Sequence, residues 1–402
     1  METSYEHLWS DSIKKMKKSV IRELLKLTQK DEIISFAGGL PDPKLFPIED
    51  IKDCTNAVLD KYGPKALQYG TTEGDIRLRS HLVKRYRDLE GLNISEDNLI
   101  VTTASQQGLD LTGRIFINPG DAVFCGLPSY LGGINAFASY GADLIGIELD
   151  NDGMSSILLR EAITRAISEG KKAKFIYIVP DFQNPAGITM NEKRRKEILD
   201  IAYEFNIPII EDTPYREVRF NGTPQPMFQK LDTRGLVITL GTFSKVLAPG
   251  FRIGWVIGHQ RWVEKYVTGK QIADLCSSAL IQMTIAEYFE RNLYDKNLKV
   301  IIEKYREKRD AMLLALEKYM PDGVTWTTPD GGLFLFLYMP DIIDSEKLFL
   351  KAIEKNVAFV VGHVFYCNNA GKNTMRLNFS FATLEENDEG IRRLSESIKE
   401  FL

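Results

Sequence analysis

Four cysteines and four histidines are all that 402 residues hold of the common transition-metal ligands. Cys54 and Cys125, the nearest cysteine pair, are 71 positions apart, and His7, His81, His259 and His363 are as scattered. That spacing excludes a C-x-x-C redox centre, a zinc ribbon and an H-E-x-x-H hydrolase, and a disulfide scaffold makes no sense at this length. Long apolar runs are missing too: none approaches the roughly 18 residues of a membrane span. Lys14, Lys15, Lys17 and Lys18 are not joined to the apolar stretch of a secretory signal, so a cytoplasmic protein without a membrane partner is expected. An excess of charge of one sign is also absent. Fifty-one basic against 55 acidic residues leave a net charge of −4, which gives no drive toward nucleic acid. No G-x-G-x-x-G follows a strand-like run, which removes the dinucleotide fingerprint. The partner expected by elimination is a small molecule.

What is present is an ordinary globular composition, 44% hydrophobic and 26% charged, with ample material for a large core. Ile13, Met16, Val20, Leu24 and Leu27 recur at helical spacing with lysines opposite, so 12–29 reads as an amphipathic helix docked on its own protein. The stretch SFAGGLPDPKLFP (35–47) reads as an ordered loop. From about 75 to 260 helical and β-rich patterns alternate. Helical stretches at 75–90, 106–117, 129–140, 155–168 and 191–205 separate strand-like runs at Leu99–Thr103, Ala122–Cys125, Leu144–Ile147, Phe175–Val179, Pro208–Glu211 and Leu236–Leu240. Several runs are apolar throughout, as parallel strands covered on both faces are. Long helical patterns follow to about 319. Strands at Leu333–Leu337, Ala358–Val361 and Met375–Phe379 then mix with helical stretches at 345–355 and 384–400. The expectation is an α/β protein: a large domain (48–290) with a mostly parallel sheet, and a smaller α+β domain (291–402) that also takes in the N-terminal helix and loop (1–47).

In open α/β sheets the site lies beyond the carboxyl ends of the strands. Strand 99–103 leads into Ala104-Ser105-Gln106-Gln107 and a helix, which sets free backbone N–H groups and a hydroxyl where an anion binds. Strand 175–179 leads into PDFQNPAG, which carries Asn184. Strand 208–211 ends in Glu211-Asp212-Thr213-Pro214-Tyr215. Strand 236–240 runs into GTFSKVLAPGFRIGW, with Thr242, Ser244, Lys245 and Arg252. An acid, an amide, a phenol, hydroxyls, a lysine and an arginine at successive tips suit a phosphorylated, ring-nitrogen cofactor bound as a lysine imine.

These motifs, in this order and spacing, resemble those of the fold-type I pyridoxal-phosphate aminotransferases. The resemblance covers essentially the whole chain. It looks closest to the 2-aminoadipate and kynurenine aminotransferase group through IRELLKLTQ (21–29), SFAGGLPDP (35–43), LQYG (67–70), TASQQGLDL (103–111), FQNPAG (182–187), FSKVLAPG (243–250) and MRLNFS (375–380). It implies that Lys245 forms the imine and moves the α-proton, for which a lowered amine pKa is needed. It implies that Asp212 faces the pyridine nitrogen and keeps it protonated, and that Asn184 and Tyr215 bond the ring oxygen. Ser105, Gln106, Thr242, Ser244 and Arg252 would surround the phosphate. Ala104 stands where many relatives have glycine, a change that removes no donor. Tyr130 matches the ring that stacks on the pyridine, although alone it could be a packing residue. Tyr69 matches a residue that reaches the phosphate of a neighbouring subunit, which implies a two-fold homodimer.

On the substrate side, Arg376 matches the arginine that grips the α-carboxylate. Gly38 and Gly39 would let the loop approach substrate, or serve only the turn. Arg22 is either an exposed helix arginine or the partner of a distal carboxylate. The implied activity is ping-pong transfer of the amino group of an L-amino acid (2-aminoadipate, glutamate, aromatic or branched-chain) to a 2-oxoacid such as 2-oxoglutarate. A lyase performing α,β-elimination on the same scaffold would use Lys245 and Asp212 equally well. A cofactor-sensing regulator would need a DNA-binding module, for which the roughly 30 residues before the loop are too few. If Arg22 reads a distal carboxylate, Arg22→Ala raises KM selectively for glutamate and 2-aminoadipate and leaves leucine and phenylalanine little changed. An equal loss for all four in a steady-state panel rejects that role.

Overall fold

The computed structural model describes residues 5–15 and 32–402. Asp11–Lys15 is helical, and the rest of the amphipathic stretch, Arg22 included, lies outside the described residues.

The strands, in chain order, are β1 (Ile34–Ser35), β2 (Leu99–Thr102), β3 (Ala122–Leu127), β4 (Asp143–Asp150), β5 (Gly153–Met154), β6 (Ala173–Ile178), β7 (Ile209–Asp212), β8 (Val237–Thr242), β9 (Gly254–Ile257), β10 (Thr325–Trp326), β11 (Phe334–Tyr338), β12 (Val357–Ala358), β13 (Val360–Val361) and β14 (Thr374–Asn378). Eight of them form one sheet in the order β2-β9-β8-β7-β6-β3-β4-β5. Strands β4, β3, β6, β7 and β8 are parallel. Strand β9 is antiparallel to both β8 and β2, so β2 points the same way as the parallel set. The carboxyl ends of β2, β3, β6, β7 and β8 therefore share one edge.

Side-chain alternation turns each apolar run into two cores. Along β6, Phe175 and Tyr177 pack on one face with Val123, Ile210 and Leu240. Ile176 and Ile178 face the other way, toward Phe124, Ile209 and the helices Ser156–Ser168 and Glu192–Phe205. The same period separates two adjacent acids in β7. Glu211 falls on the second face, where it accepts from the Phe228 and Gln229 amides and the Thr239 hydroxyl, while Asp212 falls on the first.

The second sheet, β10-β11-β14-β13, is antiparallel throughout. The run expected at Ala358–Val361 divides at Phe359: β12 pairs in parallel with β1, and β13 pairs with β14. Several elements were not anticipated, one long helix and one strand of the large sheet among them. The helix Ile48–Tyr62 has a sparse apolar face, with only Cys54 and Val58 buried. Strand β9 is four residues long and hidden behind the GTFSKVLAPG motif. No described helix is long and apolar enough to cross a membrane.

Gly254, the first residue of β9, sits where the sheet meets the start of the helix Ala104–Phe116. A Cβ there would lie 2.6 Å from the Ala104 carbonyl carbon, the Gly241 oxygen and the Ser105 nitrogen, all of them backbone. Gly254→Ala should destabilise the fold by about 2 kcal/mol, because backbone cannot rotate away as a side chain can. Thermal unfolding beside the wild type measures it, and an unchanged midpoint refutes it.

Candidate active site

A cavity of about 500 Å³ opens at the shared strand edge, between the large sheet and the segment Phe36–Leu40. Lys245, Asp212, Asn184, Tyr215, Tyr130, Ser105, Gln106, Thr242, Ser244, Arg252, Arg376 and Gly39 all line it. Of the expected site residues, three are not among them: Gly38, next to the lining Gly39, and two others. Tyr69 lies elsewhere and is 78% exposed, and Arg22 is outside the described residues.

One wall is built for an anion. The helix Ala104–Phe116 starts at the end of β2, and its first-turn amides have no intrahelical acceptor. Ala104 itself has φ 60°, a left-handed conformation that side chains rarely adopt, and it aims the following turn into the cavity. The absence of a Cβ at Gly254 lets β9 approach the Ser105 amide. The hydroxyls of Thr242 and Ser244 lie 2.9 Å apart, and Arg252, at φ 52°, ends the short turn Pro249–Phe251.

Lys245 follows β8 and is partly exposed, onto the cavity it lines. Its Nζ donates to the Gly39 carbonyl at 2.7 Å. Burial, assisted by the Arg376 and Arg252 cations, brings its amine down to about 8. Asp212, at the end of β7, is buried, and burial pushes its carboxyl up to about 7 against the opposing effect of one hydrogen bond. That bond comes from Tyr177, whose hydroxyl donates to Oδ2 at 2.9 Å. Asp212 Oδ1 is buried and unpartnered.

Arg376 projects from β14 between the inward-facing Met375 and Leu377. It donates to Asn184 Oδ1 at 2.9 Å and to the Ala37 carbonyl at 3.0 Å, and its Nε is buried without an acceptor. Its guanidinium lies 4.2 Å over the Phe334 ring. Burial lowers it to about 10, and no carboxylate among the described residues pairs with it. Asn184 turns its other face to Tyr215, donating to the phenol oxygen at 3.2 Å. Burial raises the phenols of both Tyr215 and Tyr130. Neither Gly38 nor Gly39 has a left-handed backbone, so the turn itself does not require glycine there.

Chemically, the cavity offers an amine of lowered basicity, a buried carboxylate with one free oxygen, a guanidinium without a counter-ion and a donor-lined pocket for an anion. Sequence reasoning missed Tyr177 and Phe334. Tyr177 carried a usable signal: it is the one hydroxyl inside the apolar run Phe175–Val179, and a buried phenol needs a partner. Phe334 carried none, since an aromatic in a strand is ordinarily core.

Comparison with known proteins identifies the family. The family model described as aminotransferase class I and II matches residues 38–394. Aromatic-amino-acid aminotransferase 1 of Thermococcus litoralis is 47% identical over 396 residues, covering 98% of this chain and 95% of its own. The kynurenine aminotransferase of Pyrococcus horikoshii, solved in complex with PMP, kynurenine and its product, superposes with a TM-score of 0.95 at 47% identity, with 99% of this chain and 98% of that one covered. The α-aminoadipate aminotransferase of Thermus thermophilus, solved with N-(5′-phosphopyridoxyl)-L-leucine, superposes with a TM-score of 0.91 at 35% identity, with 99% of each chain covered. The chain belongs to the class I and II aminotransferases, an enzyme family of the fold-type I architecture.

Proposed function

We propose that this aminotransferase uses pyridoxal 5′-phosphate to move the α-amino group of an L-amino acid to a 2-oxoacid such as 2-oxoglutarate, in a ping-pong cycle. The observation that carries the reading is the meeting of Lys245, Asp212 and Arg376 in one cavity, each displaced by burial from its ordinary ionisation. The residues fit the cofactor. The unpartnered Asp212 Oδ1 would accept from the ring nitrogen, and that cation would draw the carboxyl back into its ionised range. The first-turn amides of Ser105 and Gln106, with Ser105, Thr242, Ser244 and Arg252, would hold the phosphate. Asn184 and Tyr215 would bond the ring oxygen, and Tyr130 would cover a ring face. When bound, the cofactor supplies an aldehyde that carries nitrogen and a ring that takes up the electron pair released at the substrate α-carbon.

The chain's own groups do the rest. Arg376 grips the substrate α-carboxylate as a fork, and that carboxylate supplies the counter-ion the guanidinium lacks. Lys245 Nζ, whose pKa is lowered to about 8 so that its free-base share near neutral pH far exceeds an ordinary lysine's, would take up the substrate α-carbon proton and give it back. Asn184, shared between Arg376 and Tyr215, ties the carboxylate end to the ring end. The small domain, residues 291–402 with 1–47, closes over the substrate and excludes water. The β1–β12 pairing and the ion pair of Lys308 with Asp42 support that grouping. The exposed Tyr69, beside an exposed Leu67, supports a two-fold dimer with shared sites. The named relatives support aromatic and 2-aminoadipate substrates.

Lys245→Ala should abolish turnover by about 10⁴-fold or more, and leave any cofactor extractable without acid. Nitrogen recovered in glutamate from 2-oxoglutarate marks a transaminase; pyruvate or ammonia release marks a lyase. For cofactor-free enzyme, the rate of cofactor capture should rise about tenfold per pH unit and level off near pH 8, because only the free amine reacts. A stopped-flow absorbance profile that continues to rise to pH 10 contradicts the lowered amine.

A further inference from the structure

Behind the cavity lies a second group of buried charges that the proposed chemistry does not use. Asp181, fully buried, accepts from Arg195 Nη2 and Arg216 Nη1, each at 2.8 Å, and Arg219 Nη2 lies 3.6 Å away. Arg216 also forks onto Glu90, Nε to Oε1 at 2.7 Å and Nη2 to Oε2 at 2.6 Å. A buried cluster of this kind adds little net stability over well-packed apolar side chains, because desolvation offsets the attraction. What it does supply is direction, through planar forks of fixed geometry.

The two loops it joins are those that carry Asn184 and Tyr215. Arg216 follows Tyr215 directly, and Asp181 stands three residues before Asn184. The loops after β6 and β7 are thus pinned twice: Asn184 to Tyr215 on the cavity side, and Asp181 to Arg216 on the far side. The far-side pin extends to the second sheet. The Arg219 guanidinium lies 4.7 Å over the Phe182 ring, and Gly331 and Gly332 rest against that ring with no room for a Cβ. The Gly332 amide donates to the Val218 carbonyl at 2.8 Å, and the Phe220 amide to Asp330 at 2.7 Å. Two residues beyond Gly332, Phe334 carries Arg376 on its ring face.

We propose that Arg216 and Asp181 are positioning residues that set the angle of the Arg376 fork through Asn184, and so determine affinity for the substrate α-carboxylate. This rests on Arg376 as the carboxylate site. Arg216→Met leaves Asp181 paired with Arg195 but takes both guanidinium bonds from the partly buried Glu90, so stability is measured beside affinity. The test is calorimetric titration of cofactor-loaded enzyme with 3-phenylpropionate, which has the carboxylate of phenylalanine and no amine.

Arg216→Met should weaken binding by about tenfold, part of what a charge-assisted hydrogen bond contributes. It should raise KM for amino acids of every side-chain class alike, with kcat little changed. In an Asn184→Ser background the same substitution should add almost nothing. Wild-type affinity in Arg216→Met, or a penalty that persists undiminished without Asn184, overturns the proposal. A lowered melting temperature with unchanged affinity does so too, since that is the mark of a merely structural pair. If Arg216→Met does not fold, Asp181→Asn, nearly isosteric, is held to the same criteria. Arg376→Lys separates the two layers. If it binds 3-phenylpropionate like wild type, the carboxylate assignment itself falls; if it loses binding while Arg216→Met does not, only the positioning role falls.

Discussion

Asp212 and Arg376 are opposite charges buried in one cavity, and neither has an ionic partner among the described residues. Taking an ion out of water without a counter-ion costs several kcal/mol even after relaxation. The fold carries that penalty twice, and in each case one polar atom, Asp212 Oδ1 or Arg376 Nε, is buried with nothing to bond. Both penalties are relieved by what enters: a cationic ring nitrogen beside the acid and a carboxylate against the guanidinium. Lys245 has the complementary problem. Burial first, and the two arginine cations after it, disfavour its ammonium, so the same cations that await anions help to raise the share of the nucleophilic amine.

Strand alternation is what allows this. Asp212 and Glu211 are neighbours in sequence and chemically near-identical, yet one enters the cavity and the other is satisfied by two amides and a hydroxyl in the opposite layer. A register shift of one residue in β7 would exchange them. Glu211 would then leave its three donors for the cavity, and Asp212 would be taken into the opposite layer, away from any ligand.

The readable part of the site was the part strung along strand tips. Lys245, Asp212, Asn184 and Ser105 each lie within five residues of the end of an apolar run, and a parallel sheet brings such ends to one edge, so order in sequence translates into proximity. Arg376 needed the resemblance, because nothing local distinguishes a strand arginine that faces a cavity from one that faces water. Tyr177 and the Asp181 cluster were not readable as partners. Tyr177 reaches Asp212 diagonally across β6 and β7, two positions along from its direct pairing with Ile210. That depends on register, which an apolar pattern does not specify between two fully buried strands. Strand β9 escaped notice because four residues behind a glycine-proline turn are too few to show a period.

The molecule holds two kinds of buried charge at the tips of two paired strands, β6 and β7. Asp181 has every oxygen engaged by guanidinium, and Asp212 has one oxygen idle. The contrast follows from where each sits relative to the strand edge. Asp181 is turned back among residues of the chain that can be matched to it, whereas Asp212 faces a space that a ligand must complete. A cavity lined with unsatisfied charge is held open against collapse only if the loops bearing that charge are fixed from behind. Apolar packing fixes distance but leaves rotation of a loop nearly free, while planar forks fix both. On this argument the satisfied cluster is the mechanical counterpart of the unsatisfied one, and a chain that had only the second would bury its own cavity.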